Sequence, residues 1–360
     1  MAAHFHTLKI KAVKKETADC VSIAFDIPDA LKNTFAFEQG QNITIKKDFD
    51  GVEIRRSYSI CTAPFENELK VAVKKVNGGK FSCYANDILK AGDEIEVMPP
   101  TGKFNTKLLT ENRKEYLAFA AGSGITPVLS IIKTTLQTEP LSNFTLVFGN
   151  RSRSSIIFFE ELEGLKNKYL QRFNFINILS RERTDAPINY GRIDQQKLTD
   201  LNKLINYNTV DEFFICGPEE MIFAVKDFLL QQNIDKKKIH FELFVTPGGK
   251  VNTVKKVEST KSEDKGPISK ITVKLDGRSF DFDLGFNSET ILDAALQQGA
   301  DLPFACKGGV CCTCKAKLLQ GNVAMEVNWG LEQEEVEQGF ILTCQSHPLT
   351  EKVVVDFDIK

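Results

Sequence analysis

At 360 residues, 42% hydrophobic and 26% charged, the chain has the composition of an ordinary globular protein and room for two or three domains with real cores. A net charge of −2 without a basic stripe argues against nucleic acid as a partner, and no stretch approaches the ~18 apolar residues of a membrane span. Nine cysteines, an odd number with four clustered, do not read as a disulfide framework; with no long apolar run in Met1-Ala-Ala-His-Phe-His, no signal peptide is expected, and the setting expected is a reducing cytoplasm.

Residues 1–110 read as short strands. Apolar and polar residues alternate over 7–13 and 21–25, and further candidates at 41–45, 53–60, 69–76 and 94–98 are separated by Gly, Asn, Pro and Asp. Many short strands with little helix predict an antiparallel β-barrel or sandwich. In Arg55-Arg56-Ser57-Tyr58-Ser59-Ile60-Cys61, residues 56, 58 and 60 share one face of a strand, so that a cation and a ring project together. A flavin nucleotide needs both, a guanidinium for phosphate and a flat ring for the isoalloxazine; plain strand surface is the alternative. Asn77-Gly78-Gly79-Lys80-Phe81-Ser82 then leads into a helix expected over 83–89. Such a turn offers backbone N–H groups and a hydroxyl to an anion, or is simply a hairpin turn with a cap. Both elements within 30 residues favour a flavin diphosphate.

From Glu115 the pattern changes. Apolar strands at 116–121, 143–148, 173–179, 212–216 and 239–245 alternate with helices expected over 128–137, 154–168, 195–204 and 218–232, which predicts a doubly wound parallel α/β sheet over 111–245. Gly122-Ser-Gly124-Ile-Thr126-Pro127 follows the first of these strands, where a dinucleotide pyrophosphate would rest on a helix amino terminus. Pro127 stands where a full dinucleotide fingerprint has its third glycine. After the second strand, Phe148-Gly-Asn-Arg151 has no acidic residue for a ribose 2′-hydroxyl. Ser180-Arg181-Glu-Arg183, with Arg192 beyond, would suit a 2′-phosphate, which favours NADPH over NADH; solvated loop arginines are the alternative. Cys216-Gly217-Pro218 closes the fourth strand, with Cys216 either facing a nicotinamide or simply buried.

Residues 246–268, charged and poor in large apolar side chains, read as a linker that does not fold alone. Beyond it, 271–275 and 280–284 flank Asp276-Gly277 as a hairpin, a helix is expected over 290–298, and strands at 315–319, 340–343 and 353–357 complete an α+β module of β-grasp type over 269–360. It carries 8 Lys and Arg against 14 Asp and Glu, leaving 38 against 34 elsewhere, a contrast that suits electrostatic docking or mere solubility. Within it, Cys306, Cys311 and Cys314 with distant Cys344 have the C-x4-C-x2-C…C spacing of a [2Fe–2S] cluster, Cys312 being a bystander. Four thiolates also hold zinc, which would make the chain a zinc-stabilised binding module. A cluster takes electrons singly whereas a nicotinamide gives two, so a flavin between them is the part the upstream motifs would supply.

These motifs together resemble a known family. Residues 1–245 resemble the ferredoxin–NADP⁺ reductase superfamily, through Arg-Arg-Ser-Tyr-Ser-Ile-Cys, Gly-Gly-Lys-Phe-Ser, Met98-Pro-Pro-Thr-Gly-Lys-Phe, Ala-Gly-Ser-Gly-Ile-Thr-Pro and Phe-Gly-Asn-Arg. Residues 269–360 resemble plant-type ferredoxin, and the whole chain is similar to reductase components that serve phenylacetyl-CoA epoxidases. The resemblance implies that Arg56, Ser57, Tyr58 and Ser59 contact FAD, with Gly78, Gly79 and Ser82 as its diphosphate loop. It further implies that Gly122, Gly124, Thr126, Pro127, Ser180, Arg181 and Gly217 hold the nicotinamide coenzyme. Ser59, Cys216 and Glu242 would flank the reacting atoms, and Phe244 would lie beside the flavin, although the chain continues where plant-type reductases end. It implies a flow from NADPH through FAD and a [2Fe–2S] cluster to a partner, either a di-iron oxygenase acting on phenylacetyl-CoA or a ring-hydroxylating dioxygenase or desaturase. The acidic run Glu332, Glu334, Glu335 and Glu337 is expected to be a docking patch or a solvated face.

Overall fold

The computed structural model describes residues 4–244 and 267–359, so nearly all of the expected linker lies outside the described residues. Two compact units form, one from His6–Ile54 with Tyr58–Phe244, the other from residues 267–359 together with residues 4–5 and Arg55–Ser57.

The first unit opens with an antiparallel sheet of β1 (His6–Thr17), β2 (Cys20–Asp26), β3 (Asn42–Phe49), β4 (Val52–Ser59), β5 (Leu69–Lys74) and β6 (Glu94–Thr101), in the order β4-β3-β6-β1-β2-β5. The alternating residues turn Leu8, Ile10, Ile23, Phe25, Ile43, Ile45, Val71 and Val73 into one interior, as a period of two requires. Immediately after β4, Ile60 pairs with Val71 of β5, and the Cys61 amide donates to Lys70 O at 2.9 Å. The two edge strands thereby meet, and the sheet closes into the expected barrel at the end of the Arg-Arg-Ser-Tyr-Ser segment. Helix α1 (Lys80–Asp87) starts three residues before its expected position, directly on Gly79.

The α/β half is a parallel sheet of β7 (Glu115–Ala121), β8 (Asn143–Asn150), β9 (Phe173–Leu179), β10 (Glu212–Gly217) and β11 (Ile239–Leu243), ordered β11-β10-β7-β8-β9. It carries α2 (Ile125–Thr138), α3 (Phe159–Lys168), α4 (Gln195–Leu201) and α5 (Glu219–Gln231). The order reverses beside β7, so the crevice for a ligand opens at the end of that strand. Helix α2 is buried almost all round, from Ile125 to Leu136 without a break, because the sheet lies on one side and barrel residues Cys61, Ala72 and Phe104 join the same apolar cluster. Helix α3 begins five residues later than expected. Ser152 and Ser155 form a separate capped turn, and Phe158 has a left-handed φ of 60°, which breaks any continuous helix from 154.

The carboxy-terminal unit has β12 (Ile268–Leu275), β13 (Arg278–Gly285), α6 (Ile291–Gln297), β14 (Lys315–Gln320), β15 (Val323–Met325), α7 (Gln333–Glu337), β16 (Phe340–Leu342), β17 (Ser346–Pro348) and β18 (Lys352–Asp356). Its main sheet runs β13-β12-β18-β14-β16, with β12 and β18 parallel and the β12–β13 hairpin turning at Asp276-Gly277. Helix α6 packs Ile291, Leu292, Ala294 and Ala295 into the core, as a β-grasp requires. The paired strands β15 and β17 are too short to leave a period in the sequence.

One buried carboxylate ties the barrel's exit segment to the parallel sheet. Glu139, fully buried at the carboxy end of α2, accepts from Asn112 Nδ2 (2.6 Å), Ser142 Oγ (2.7 Å), Tyr116 Oη (2.9 Å) and the Leu109 amide (3.1 Å). Truncating it orphans all four donors, so Glu139→Ala is expected to cost about 3–5 kcal/mol in urea unfolding. A loss under about 1 kcal/mol would show that these donors find other partners.

Candidate functional site: a barrel–sheet crevice and a four-thiol loop

The end of the barrel seam and the end of the parallel sheet meet at three of the residues expected to act together. Ser59 Oγ donates to Glu242 Oε2 at 2.8 Å across 183 residues of sequence. Glu242 stands opposite Cys216 in the β10–β11 register, and Cys216 is fully buried. Glu242 keeps some accessible surface, yet protein atoms crowd it from every side. That desolvation pushes its carboxyl up to about 7, while the Ser59 hydroxyl pulls the other way. The Cys216 thiol is likewise pushed far up by burial, and further by the Glu242 charge, so it is a neutral, inert wall and no nucleophile.

The barrel strands carry flat and basic groups of their own. Tyr58, half-buried, packs its ring 5.5 Å from that of Phe81 on α1. Arg56 and Ser57 stand half-buried on β4. Gly78, with a φ of +73°, makes the turn before Gly79, the residue that begins α1, and the first-turn N–H groups point out of the helix start. The Ser82 hydroxyl is spent on the turn itself, accepting from the Val76 amide at 3.1 Å and lying 3.2 Å from Gly79 O. Phe244, 40% exposed, follows β11.

The sheet side is shaped by close approach. A Cβ on Gly124 would lie 2.0 Å from the backbone Cys216 O, so only glycine there lets the β7 loop touch the end of β10, while one on Gly217 would come within 3.2 Å of Ala121. Thr126 and Pro127 are buried in the first turn of α2, the Thr126 hydroxyl donating to Ser123 O at 3.0 Å. Ser180 and Arg181 extend the β8–β9 pairing by one step each, their amides donating to Asn150 O (2.9 Å) and Arg151 O (2.8 Å). This sets Arg151 and Arg181, both exposed, on neighbouring strand ends. Sequence reasoning missed Lys74, whose ammonium lies 3.9 Å from the point where a Cβ on Gly122 would be. A lysine at the end of a strand carries no signal that it faces a loop 48 residues away in sequence.

In the second unit the four expected thiols converge as two pairs, Cys306 with Cys311 and Cys314 with Cys344, each sharing a hydrogen bond. The Cys311 thiol, with amides of Gly308, Val310 and Cys311, holds Cys306 down to about 6; the Cys314 thiol and the Gly309 amide lower Cys344. Gly309, at φ +73°, has no room for a Cβ, which would lie 2.8 Å from Val327 O. Cys312 turns away and donates its thiol to Gly330 O. Among the described residues no three His, Cys, Asp or Glu side chains converge on one point as a single ion would need. Two pairs of thiols ringed by amides suit two irons with two thiolates each, so the residues fit a [2Fe–2S] cluster. In the acidic run, Glu332 and Glu335 cap α7, and Glu335 also pairs with Lys315 at 2.9 Å. Glu337 accepts from Gln333 Nε2 at 3.1 Å, so three of the four carboxylates of the expected patch are engaged internally.

Comparison with known proteins accords with this arrangement. Residues 7–106 match the oxidoreductase FAD-binding domain family, 119–227 the oxidoreductase NAD-binding domain family, and 273–349 the 2Fe-2S iron–sulfur cluster binding domain family. One component of the 1,2-phenylacetyl-CoA epoxidase of Escherichia coli K12 is 48% identical over 99% of this chain and 98% of its own length. The chain belongs to the FAD- and [2Fe–2S]-containing reductases of multicomponent oxygenases. Another relative, the ferredoxin reductase component of 3-ketosteroid-9-alpha-monooxygenase from Rhodococcus rhodochrous, is 33% identical over 97% of this chain and 96% of that protein. Phthalate dioxygenase reductase shares the fold, with a TM-score of 0.58 at 23% identity and 98% coverage of both chains. The reductase is thus an oxidoreductase with FAD, NAD and [2Fe–2S] domains, and none of its described helices is long and apolar enough to cross a membrane.

Two measurements test the site. Because Glu242 keeps its proton in the folded state where the unfolded chain releases it, its contribution is fully present below pH 4.5 and is lost as pH rises through about 7. Wild type should therefore lose up to about 3 kcal/mol relative to Glu242→Gln between pH 4 and 8 in denaturant unfolding; parallel pH curves would show that the carboxyl is not desolvated. Cys312→Ser is expected to retain two irons per chain and the visible cluster spectrum, whereas Cys314→Ser loses both. Loss of iron in Cys312→Ser would mean a different ligand set.

Proposed function

We propose that the reductase draws its electrons from NADPH in preference to NADH and delivers them to the di-iron oxygenase component of a phenylacetyl-CoA epoxidase. The observation that carries the partner is 48% identity maintained over both chains from end to end. Support for NADPH is local. The β8 end offers Asn150 and Arg151 with no carboxylate, and the extended β8–β9 pairing brings Ser180 and Arg181 alongside. A guanidinium pair with a hydroxyl favours a 2′-phosphate, whereas a ribose 2′-hydroxyl calls for an acidic acceptor.

In this reading the layout is a flavin barrel over 1–110, a coenzyme domain over 111–245, a linker over 246–268 and a ferredoxin module over 269–360. FAD, when bound, accepts a hydride and releases its electrons singly to the cluster. Arg56 compensates the flavin phosphate charge, Tyr58 and Phe244 cover the ring, Ser57 and Ser59 bond its edge, and the Gly78-Gly79 turn with the Ser82 amide holds the diphosphate. Gly122, Gly124 and Gly217 let the coenzyme backbone approach the sheet, over the loop shape that Thr126 and Pro127 set. Cys216 walls the nicotinamide pocket with a neutral thiol. The Ser59–Glu242 pair can hold or pass a proton near neutral pH because the carboxyl titrates there. Cys306, Cys311, Cys314 and Cys344 hold the cluster. A reducing cytoplasm suits nine cysteines that are all free.

The deciding experiment mixes the purified reductase with the oxygenase component of a phenylacetyl-CoA epoxidase. NADPH oxidation should become dependent on phenylacetyl-CoA and yield the epoxide, with kcat/KM for NADPH at least about tenfold that for NADH. Arg181→Ala should narrow that ratio by raising KM for NADPH alone. Coupling only to a ring-hydroxylating dioxygenase or a desaturase would overturn the partner, and an inverted ratio would overturn the coenzyme.

A further inference from the structure

Helix α2 begins at the coenzyme loop and, two turns later, is tied to the barrel just past the flavin strand. Lys133, almost wholly buried, places its ammonium 2.7 Å from Glu66 Oε2 and 2.7 Å from Glu161 Oε1. Glu66 belongs to the barrel, in the tight turn that follows the Arg-Arg-Ser-Tyr-Ser-Ile-Cys segment, and its carboxylate also accepts from the Ala63 amide at 2.6 Å. Glu161 lies on α3 of the parallel-sheet half. One helical turn before Lys133, buried Ser130 donates its hydroxyl to Thr62 O at 2.6 Å. The Cys61 thiol and Lys70 also face this cluster. Two adjacent steps of one helix therefore grip the barrel at 62 and 66, within seven residues of Ser59, while the same helix starts at Gly124 against Cys216.

Beyond this cluster and the Ser59–Glu242 hydrogen bond, barrel and sheet also meet through apolar packing, with Phe104 edge-on to Phe214 at 5.5 Å. Apolar burial holds surfaces together but is non-directional and tolerates sliding. A buried cation shared by two carboxylates has one geometry, and either partner left alone is a costly buried charge. We propose that Lys133, seconded by Ser130, is a positioning residue for hydride transfer, fixing the flavin strand end in register with the coenzyme loop. The reaction it serves moves one hydride from nicotinamide C4 to flavin N5, oxidising the nicotinamide and reducing the flavin. Its rate depends steeply on that register. The inference rests on the reading of residues 56–59 and 122–127 as the flavin and coenzyme contacts.

The test uses full-length holoenzyme carrying Lys133→Met with Glu66→Gln and Glu161→Gln, which removes the triad without leaving a buried charge. Amide hydrogen exchange over 62–67 should quicken in the absence of coenzyme. At saturating NADPH the limiting rate of flavin bleaching should fall at least about tenfold with KM changed less than about threefold. The charge-transfer absorbance between reduced enzyme and NADP⁺ should fade, and Lys133→Arg, which keeps the cation, should restore both. A limiting rate and charge-transfer band within about twofold of wild type would overturn the proposal. If the triple variant fails to fold or loses FAD, Ser130→Ala decides, with a drop of about threefold expected and an unchanged rate overturning it. Wild-type flavin that neither NADPH nor NADH bleaches would sink the underlying reading instead.

Discussion

The hydrogen bond from Ser59 to Glu242 is the point at which an antiparallel barrel and a parallel sheet become one site. It joins a residue beside the barrel's closure to a residue on the sheet's last strand. Close by in the same sheet, glycine at 124 lets the β7 loop touch the end of β10, where a Cβ would lie 2.0 Å from Cys216 O. Burial then does two different things to the two acids. It leaves Cys216 a neutral wall and brings Glu242 into the range where protons exchange at physiological pH.

The second unit solves an electrostatic problem of another kind. Two of the four sulfurs, those of Cys306 and Cys344, are met by amides from Gly308, Gly309, Val310 and Cys311, which favour their charged form. The backbone therefore does the work that counter-ions would do elsewhere, and it can do so because a residue with positive φ at 309 lets the loop turn inward. Cys312, a fifth thiol in the same loop, is excluded by direction alone: its left-handed backbone turns the sulfur to Gly330 O.

Several elements were legible from residue order because their cause is local. The strand alternation of the barrel, the apolar strands of the α/β half, the Asp276-Gly277 hairpin and the cluster spacing each arise from neighbours in the chain. The late start of α3 was not, since the capping of Ser152 by Ser155 and the left-handed Phe158 compete with a helical pattern that reads well from 154. The Ser82 hydroxyl was expected to face an anion, but the turn it belongs to consumes it. Lys74 and the Lys133 triad gave no signal, because lysine and glutamate in these positions look like solvated surface until folding buries them together.

By itself the sequence determined the order of three modules, the spacing of the three loop thiols Cys306, Cys311 and Cys314 and the residue types a flavin and a dinucleotide require, because each is set by neighbours in the chain. Only the tertiary structure decided that Ser59 meets Glu242, that Gly124 meets Cys216, and that Cys344 pairs with Cys314. Those are contacts over dozens to nearly two hundred residues, formed by sheet closure and strand register, which residue order permits but does not display.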